Sequence, residues 1–394
     1  MRRRTFLHLA AASPLLGIKR QPRPAVVVVG AGAFGGWTAL ALLRRGCRVT
    51  LVDAWGPGHA RASSGGETRV IRGVYGDRVY VDLAVRAFEL WKEHEKKDGQ
   101  RLYYQTGALW MVAGADDSLE RGAIPHLRAA GLPIEELTPA AAVKRYPQIS
   151  FDGIRWALFE TNAGYLLARR ACETVLDRFR AEGGTYIQDR ATPEPSTTGA
   201  MRSLRLAATS AIDADAFVFA CGPWLGQVFS DVLGSKIRPT RQEVFFFGTP
   251  PGDRFGDTQL PVWIEHGAHL FYGIPGNRYR GFKVADDTQG AVVDPTTMER
   301  IPSAAAVADA RALLARRFPE LKSAPLVEAR VCQYENSPDS NFIIDRHPSL
   351  SNVWIAGGGS GHGFKFGPAL GERIAAVVLG ERRPDPLFTL ARFK

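Results

Sequence analysis

Three glycines spaced G-x-G-x-x-G (Gly30, Gly32 and Gly35) and an acid further on, Asp53, are residue types suited to one task, holding a dinucleotide. Gly30 permits a tight turn, Gly32 lets a pyrophosphate approach the backbone, and Gly35 lets a helix pack closely on a strand. A helix opening at that turn offers free N–H groups and a partial positive charge to phosphate. Asp53 can accept hydrogen bonds from the ribose hydroxyls of an adenosine. Two further stretches have the composition of a site. One is the polar, glycine-rich loop 54–72, too long for a plain connection. The other is Gly357-Gly358-Gly359-Ser360-Gly361-His362-Gly363-Phe364-Lys365.

The elements around these residues follow from hydrophobic patterning. Residues 25–29, all small or β-branched without alternation, predict a buried parallel strand. Residues 36–45 predict a helix stopped by Gly46, and 47–52 a second strand ending at Asp53. With strand, helix, strand and acid in register, the glycine pattern is a dinucleotide fingerprint. Helices are expected at 81–97, 119–130, 166–182, 304–317 and 368–379, with another opened by Thr138-Pro139. Strands are expected at 107–112, 185–188, 203–208, 216–220 and 353–356. Between residues 241 and 283, short strands at 244–247, 262–265, 269–274 and 281–284 alternate with Pro/Gly turns, which predicts an antiparallel sheet. The nucleotide-domain elements are thus scattered, with a β-rich insertion between them. That organisation suits a two-domain flavoenzyme better than a nicotinamide dehydrogenase with one contiguous dinucleotide block. The expected fold is α/β, a Rossmann-like domain of discontinuous segments (25–104, 161–236 and 330–390). A mainly antiparallel substrate domain is expected from 105–160 and 237–329.

The chain has 394 residues and a net charge of +10. Residues 1–24 hold six basic residues (Arg2, Arg3, Arg4, Lys19, Arg20, Arg23) and no acid, which leaves +4 for the rest. No dense basic run with interleaved aromatics remains, so nucleic acid is not an expected partner. Arg3-Arg4-Thr5-Phe6-Leu7 fits the twin-arginine export pattern, and the apolar run behind it is too short to span a bilayer. The expected location is periplasmic or secreted, or cytoplasmic if the signal is not used. Stable membrane insertion is not expected. Cys47, Cys172, Cys221 and Cys332 show no metal-site spacing, and no metal is expected. Free thiols are expected at Cys47 and Cys221.

Four stretches in order, VVVVGAGAFGG…LVD, GGETRVIR, RVCQYENSPDSNFIIDRHP and GGGSGHGFKFGPALGE, resemble the D-amino-acid oxidase superfamily of FAD-dependent oxidoreductases. Within it the chain is similar to the monomeric sarcosine oxidase group, from about residue 24 to 385. The resemblance implies FAD, held by Gly30, Gly32, Phe34, Gly35, Asp53, Ser64, Thr68, Arg69, Gly358, Gly361, His362, Gly363 and Lys365. It implies a covalent thioether from Cys332 to the flavin, with a cation such as Arg330 favouring the thiolate. It assigns Arg72 and Lys365 to the substrate carboxylate, with Arg69 ordering the loop or the flavin edge. Lys283 is assigned to oxygen activation. Tyr272 and Tyr334 are assigned to the substrate pocket.

Two positions depart from that group, which carries histidine where this chain has Gly65 and again where it has Asp287. The first change is expected to open space. The second replaces a ring by an acid that could face a cationic group of a larger amino acid. The expected activity is oxidation of an amino acid that is a secondary amine, N-alkyl or cyclic. A hydride equivalent would pass to flavin N5, the imine would hydrolyse, and O2 would be reduced to hydrogen peroxide. The expected partners are a small-molecule amine and O2 or another acceptor, with the protein a monomer. The alternatives are a dehydrogenase passing electrons to a quinone or protein, and a flavin-binding accessory protein with no free substrate.

Overall fold

A computed structural model describes residues 23–194, 199–208, 210–277 and 280–393. The twin-arginine pattern falls within residues 1–22 and lies outside the described residues. A six-stranded sheet runs Ile343–Arg346, Val353–Gly357, Ala216–Phe219, Ala25–Val29, Arg48–Asp53 and Thr185–Gln188. All pairs are parallel except the edge strand Ile343–Arg346. Val26, Val27 and Val28 are at most 2 % exposed, which is why their run shows no alternation. Helices Ala33–Arg44 and Gly367–Val378 cover one face, and Gly371 lets their backbones meet. A Cβ there would lie 2.6 Å from the Trp37 carbonyl.

The second layer is an eight-stranded sheet ordered Leu326–Asn336, Arg238–Phe247, Phe282–Asp286, Leu270–Ile274, Val262–His266, Ala108–Val112, Trp156–Glu160 and Ile134–Leu137. It is antiparallel except between Val262–His266 and Ala108–Val112, which pair in parallel. Its outer face packs on helix Ala304–Arg317 through a core including Phe245, Phe247, Trp263, Phe282, Leu313 and Leu314. A small sheet of Thr68–Ile71, Gly164–Leu167 and Tyr103–Tyr104 stands apart from both.

Three differences from the sequence expectation have physical causes. Leu166 and Leu167 are strand, paired with Arg69 and Thr68, and the helix begins only at Ala168. An apolar pair before a helix carries no signal of which element it joins. Arg238–Phe247 is longer than expected because its polar half pairs with Leu326–Asn336, and buried Thr240 and Gln242 bond each other at 3.1 Å. The segment around Cys332, read only as a motif, is an eleven-residue strand. That strand carries Cys332, Tyr334 and Glu335, and successive side chains point to opposite faces.

Candidate active site

The carboxyl ends of Ala25–Val29, Arg48–Asp53 and Ala216–Phe219 border a cavity of about 520 Å³ lined by Gly30, Gly32, Phe34, Asp53 and Ser64, among others. Gly30 has φ +106°, and a Cβ there would sit 2.3 Å from the Ala220 oxygen. A Cβ on Gly35 would lie 1.9 Å from the Gly30 oxygen. Only glycine fits either place. Gly32 caps helix Ala33–Arg44 without a side-chain bond, so the helix end is aimed at the cavity; the Ala33 N–H donates to Ser64 Oγ at 3.1 Å. Asp53 holds the turn first. Its carboxylate accepts from the amides of Ala31, Trp55 and Gly56 at 2.7, 2.9 and 2.8 Å while also lining the cavity.

Phe34 bridges this cleft to the C-terminal glycine segment. A Cβ on Gly363 would lie 2.7 Å from its ring, and one on Gly361 would lie 2.6 Å from the Tyr334 ring. Gly358 (φ +68°) and Gly361 (φ +78°) adopt left-handed conformations, and Ser360 does so at φ +44° without being glycine. Such strain is typical of functional turns.

Cys332 Sγ lies 3.7 Å from an Arg69 guanidinium nitrogen. Arg69 also donates to the carbonyls of Thr68 (2.8 Å) and Ser63, which ties the loop to the cysteine. Arg330, the cation expected to favour the thiolate, is instead paired with Glu67 at 3.1 Å and with Glu328. Arg69 takes its place, since those two carboxylates already hold Arg330. All four cysteines are free.

A second, small cavity of about 50 Å³ is lined by Arg69, Arg72, Trp110, Tyr272, Asp287, Tyr334, Gly361, His362 and Lys365, among others. It therefore gathers all five of the expected substrate residues. The Arg72 guanidinium lies 4.3 Å from the Tyr75 ring centroid and 5.0 Å from that of Trp110. Lys365 Nζ donates to Tyr75 Oη at 2.9 Å and to the His362 carbonyl at 2.7 Å. Burial and then Arg72 push the Lys365 ammonium well below its ordinary range. An anion between these two cations would relieve both. The Tyr334 hydroxyl lies 2.5 Å from Asp287 Oδ1, and burial raises the Asp287 carboxyl above the usual range.

His362 Nε2 faces the Ser340 carbonyl at 2.9 Å, and that oxygen can only accept, so Nε2 carries the proton. Its Nδ1 then accepts from Tyr75 at 3.3 Å, completing a chain from Lys365 through Tyr75 to His362. Burial lowers His362 to about 3 and keeps the ring neutral.

Lys283 is 2 % exposed, donates to the Thr68 carbonyl at 3.2 Å and lies 5.2 Å from the Tyr272 ring centroid. Burial first, and then Arg69, push it down to about 7. It does not line the small cavity. Gly65 opens no space there, contrary to the sequence expectation: a Cβ on it would lie 1.9 Å from the His59 carbonyl oxygen. The His59 and Ala62 carbonyls occupy the space a side chain at Gly65 would need.

Sequence reasoning missed three residues. Tyr75 links Arg72, Lys365 and His362, and nothing in its local sequence marks it. Buried Glu160 accepts from the Gly73 amide at 2.6 Å and from Trp110 Nε1 at 2.7 Å, fixing the wall behind Arg72. Glu335 lies within a quoted motif, and strand alternation would have turned it away from Tyr334 toward the large cavity that it lines.

The large cleft has the form of a dinucleotide site, and the small cavity gathers two cations, an acid and two tyrosines. A family model described as FAD dependent oxidoreductase (DAO) matches residues 25–377, and the chain belongs to that family. It is 32 % identical to a monomeric sarcosine oxidase of Bacillus sp. (strain NS-129), covering 93 % of this chain and 96 % of the relative. It is 28 % identical to an N-methyl-L-tryptophan oxidase of Salmonella enteritidis PT4 (strain P125109), covering 93 % and 98 %. In fold it matches the crystal structure of L-proline dehydrogenase from P. horikoshii, with TM-score 0.81 and 22 % identity over 94 % of this chain and 98 % of that one. The protein is thus an FAD-dependent amine or amino-acid oxidoreductase.

The large cleft fits FAD on the structure's own terms. The glycine turn has room for a pyrophosphate, the helix end faces it, and two buried polar atoms lining the cleft, Ser63 Oγ and Glu335 Oε2, have no protein partner. Among the described residues no helix is long and apolar enough to cross a membrane. None of their His, Cys, Asp and Glu groups could hold a metal.

Proposed function

We propose that the protein oxidises a small secondary amino acid, N-alkyl or cyclic, to an imine that hydrolyses in water, with O2 reduced to hydrogen peroxide. The observation that carries this reading is the convergence of Arg72, Lys365, Asp287 and Tyr334 on one cavity of about 50 Å³. Arg72 and Lys365 bind the carboxylate as paired cations. Asp287 and Tyr334 then face the amine and hold it for loss of its proton. FAD, when bound, supplies the two-electron acceptor and the centre at which O2 is reduced. Cys332 would hold it covalently, with the Arg69 guanidinium 3.7 Å from its sulfur. Lys283 provides the buried cation that stabilises charge developing on reduced oxygen. The small cavity favours a compact substrate over the larger amino acid that the Gly65 and Asp287 departures first suggested.

The reading extends to export by the twin-arginine route and to a monomer. The test is an anaerobic screen of N-methyl and cyclic amino acids for flavin bleaching, followed by admission of air. Bleaching with stoichiometric peroxide supports the oxidase. Bleaching without rapid reoxidation by air points to a dehydrogenase with another acceptor, and absence of bleaching by any amine points to an accessory protein.

A further inference from the structure

We propose that Glu335 stands in the cofactor cleft as an un-ionised carboxylic acid that donates a hydrogen bond to an oxygen of bound FAD. Its side chain is 6 % exposed and lines the large cavity. Oε1 accepts from the Gly359 amide at 3.2 Å, and Oε2 has no partner. Glycines surround the carboxyl on the sides where a side chain would crowd it. A Cβ on Gly222 or Gly357 would lie 3.5 or 3.4 Å from Oε2, and one on Gly359 would lie 3.0 Å from Oε1. The turns after two parallel strands thus leave the acid free to face the cleft.

The titratable and charged side chains lining the same cleft are Asp53, His59, Asp189, Arg190 and Cys221. None of them governs the acid. Burial pushes Glu335 up to about 7, and only the Gly359 amide pulls it the other way. FAD carries a pyrophosphate, so an ionised Glu335 would set a further buried negative charge in the cleft without a cation paired to it. A protonated one turns its orphan acceptor into a donor and satisfies both groups. The inference rests on FAD binding and not on the identity of the amine.

The test uses holoprotein at pH 6, where an ordinary glutamate is ionised, recording the infrared difference between wild type and Glu335→Gln. The expected result is a carbonyl band of an un-ionised carboxyl, present in wild type and lost in the variant. FAD-to-protein ratios in a Cys332→Ser background, where the flavin is not covalently held, give a second readout. Glu335→Gln, whose amide N–H can replace the acid O–H, keeps full FAD content, while Glu335→Ala binds FAD about tenfold more weakly. A carboxylate band in place of the acid band overturns the proposal, as does loss of FAD from Glu335→Gln equal to that from Glu335→Ala. Should the variants not fold, the Cys332→Ser protein alone decides through its flavin-release temperature from about pH 6 to pH 9. A fall with rising pH is expected, and a flat or rising profile overturns the proposal. Either negative leaves the amine-oxidation reading standing, since that is judged by bleaching.

Discussion

Tyr334 places its hydroxyl 2.5 Å from Asp287 Oδ1 within the cavity where Arg72 and Lys365 also converge. Burial raises the Asp287 carboxyl, so its proton is lost at a higher pH than that of an ordinary aspartate. If the ionised form receives the substrate amine, kcat/KM rises with pH through that ionisation. Asp287→Asn should lower kcat/KM about 10- to 100-fold, the cost of one lost charged hydrogen bond, and abolish the acid limb. A pH profile of both proteins checks this, and an unchanged acid limb rules it out.

Lys283 is the cation assigned to oxygen. Lys283→Met should leave anaerobic bleaching within a few-fold of wild type while slowing reoxidation by O2 about 10²- to 10³-fold. The ammonium is pushed down to about 7, so its charge is lost as pH rises through that value. Stopped-flow reoxidation of the wild type should therefore slow as pH rises. Equal oxygen rates in both proteins would remove Lys283 from the mechanism.

Cys332 and Arg69 are tested together. Acid-precipitated wild type should stay yellow, and Cys332→Ser should release all of its flavin to the supernatant. Because Arg69 lies 3.7 Å from Cys332 Sγ while Arg330 is paired elsewhere, Arg69→Gln should slow flavin attachment and Arg330→Gln should not. Intact mass after timed reconstitution measures both.

Glu160 accepts from Gly73 and Trp110 in the wall behind Arg72. Glu160→Ala leaves both donors buried without partners and should cost about 2–4 kcal/mol in denaturant unfolding. KM should rise more than kcat falls, because the damage reaches substrate through Arg72. A larger loss in kcat than in KM would contradict this.

Gly65→His restores the residue type of the sarcosine oxidase group. The backbone here has no room for it, since its Cβ would meet the His59 carbonyl. Low flavin content of the purified variant is the expected outcome, and full content would show that the loop can open.

The dinucleotide cleft was legible in sequence because its parts are local. Gly30, Gly32, Gly35 and Asp53 lie on one strand–helix–strand unit whose periodicity, stop glycine and acid all agree. The small cavity was legible only through resemblance, since Arg72, Asp287, Tyr334 and Lys365 come together from four distant segments. Tyr75 and Glu160 stayed hidden because their meaning is wholly tertiary. A tyrosine between glycines and a glutamate ending an apolar strand have no local pattern that separates them from ordinary residues. The loop at Gly65 misled for a related reason. The loss of a side chain says nothing of whether the backbone stays put or moves in to fill the gap.

The strand order of the six-stranded sheet bears on how the protein is made. Ala25–Val29 gains its second neighbour only when Ala216–Phe219 has been synthesised, and that strand in turn waits for Val353–Gly357. Until then each presents a raw apolar edge, the kind that templates aggregation. Such non-local parallel pairing also folds slowly. The FAD seat is therefore a post-translational object, closed by the last tenth or so of the chain. Truncation before Val353 should yield insoluble, colourless protein rather than a smaller flavoprotein.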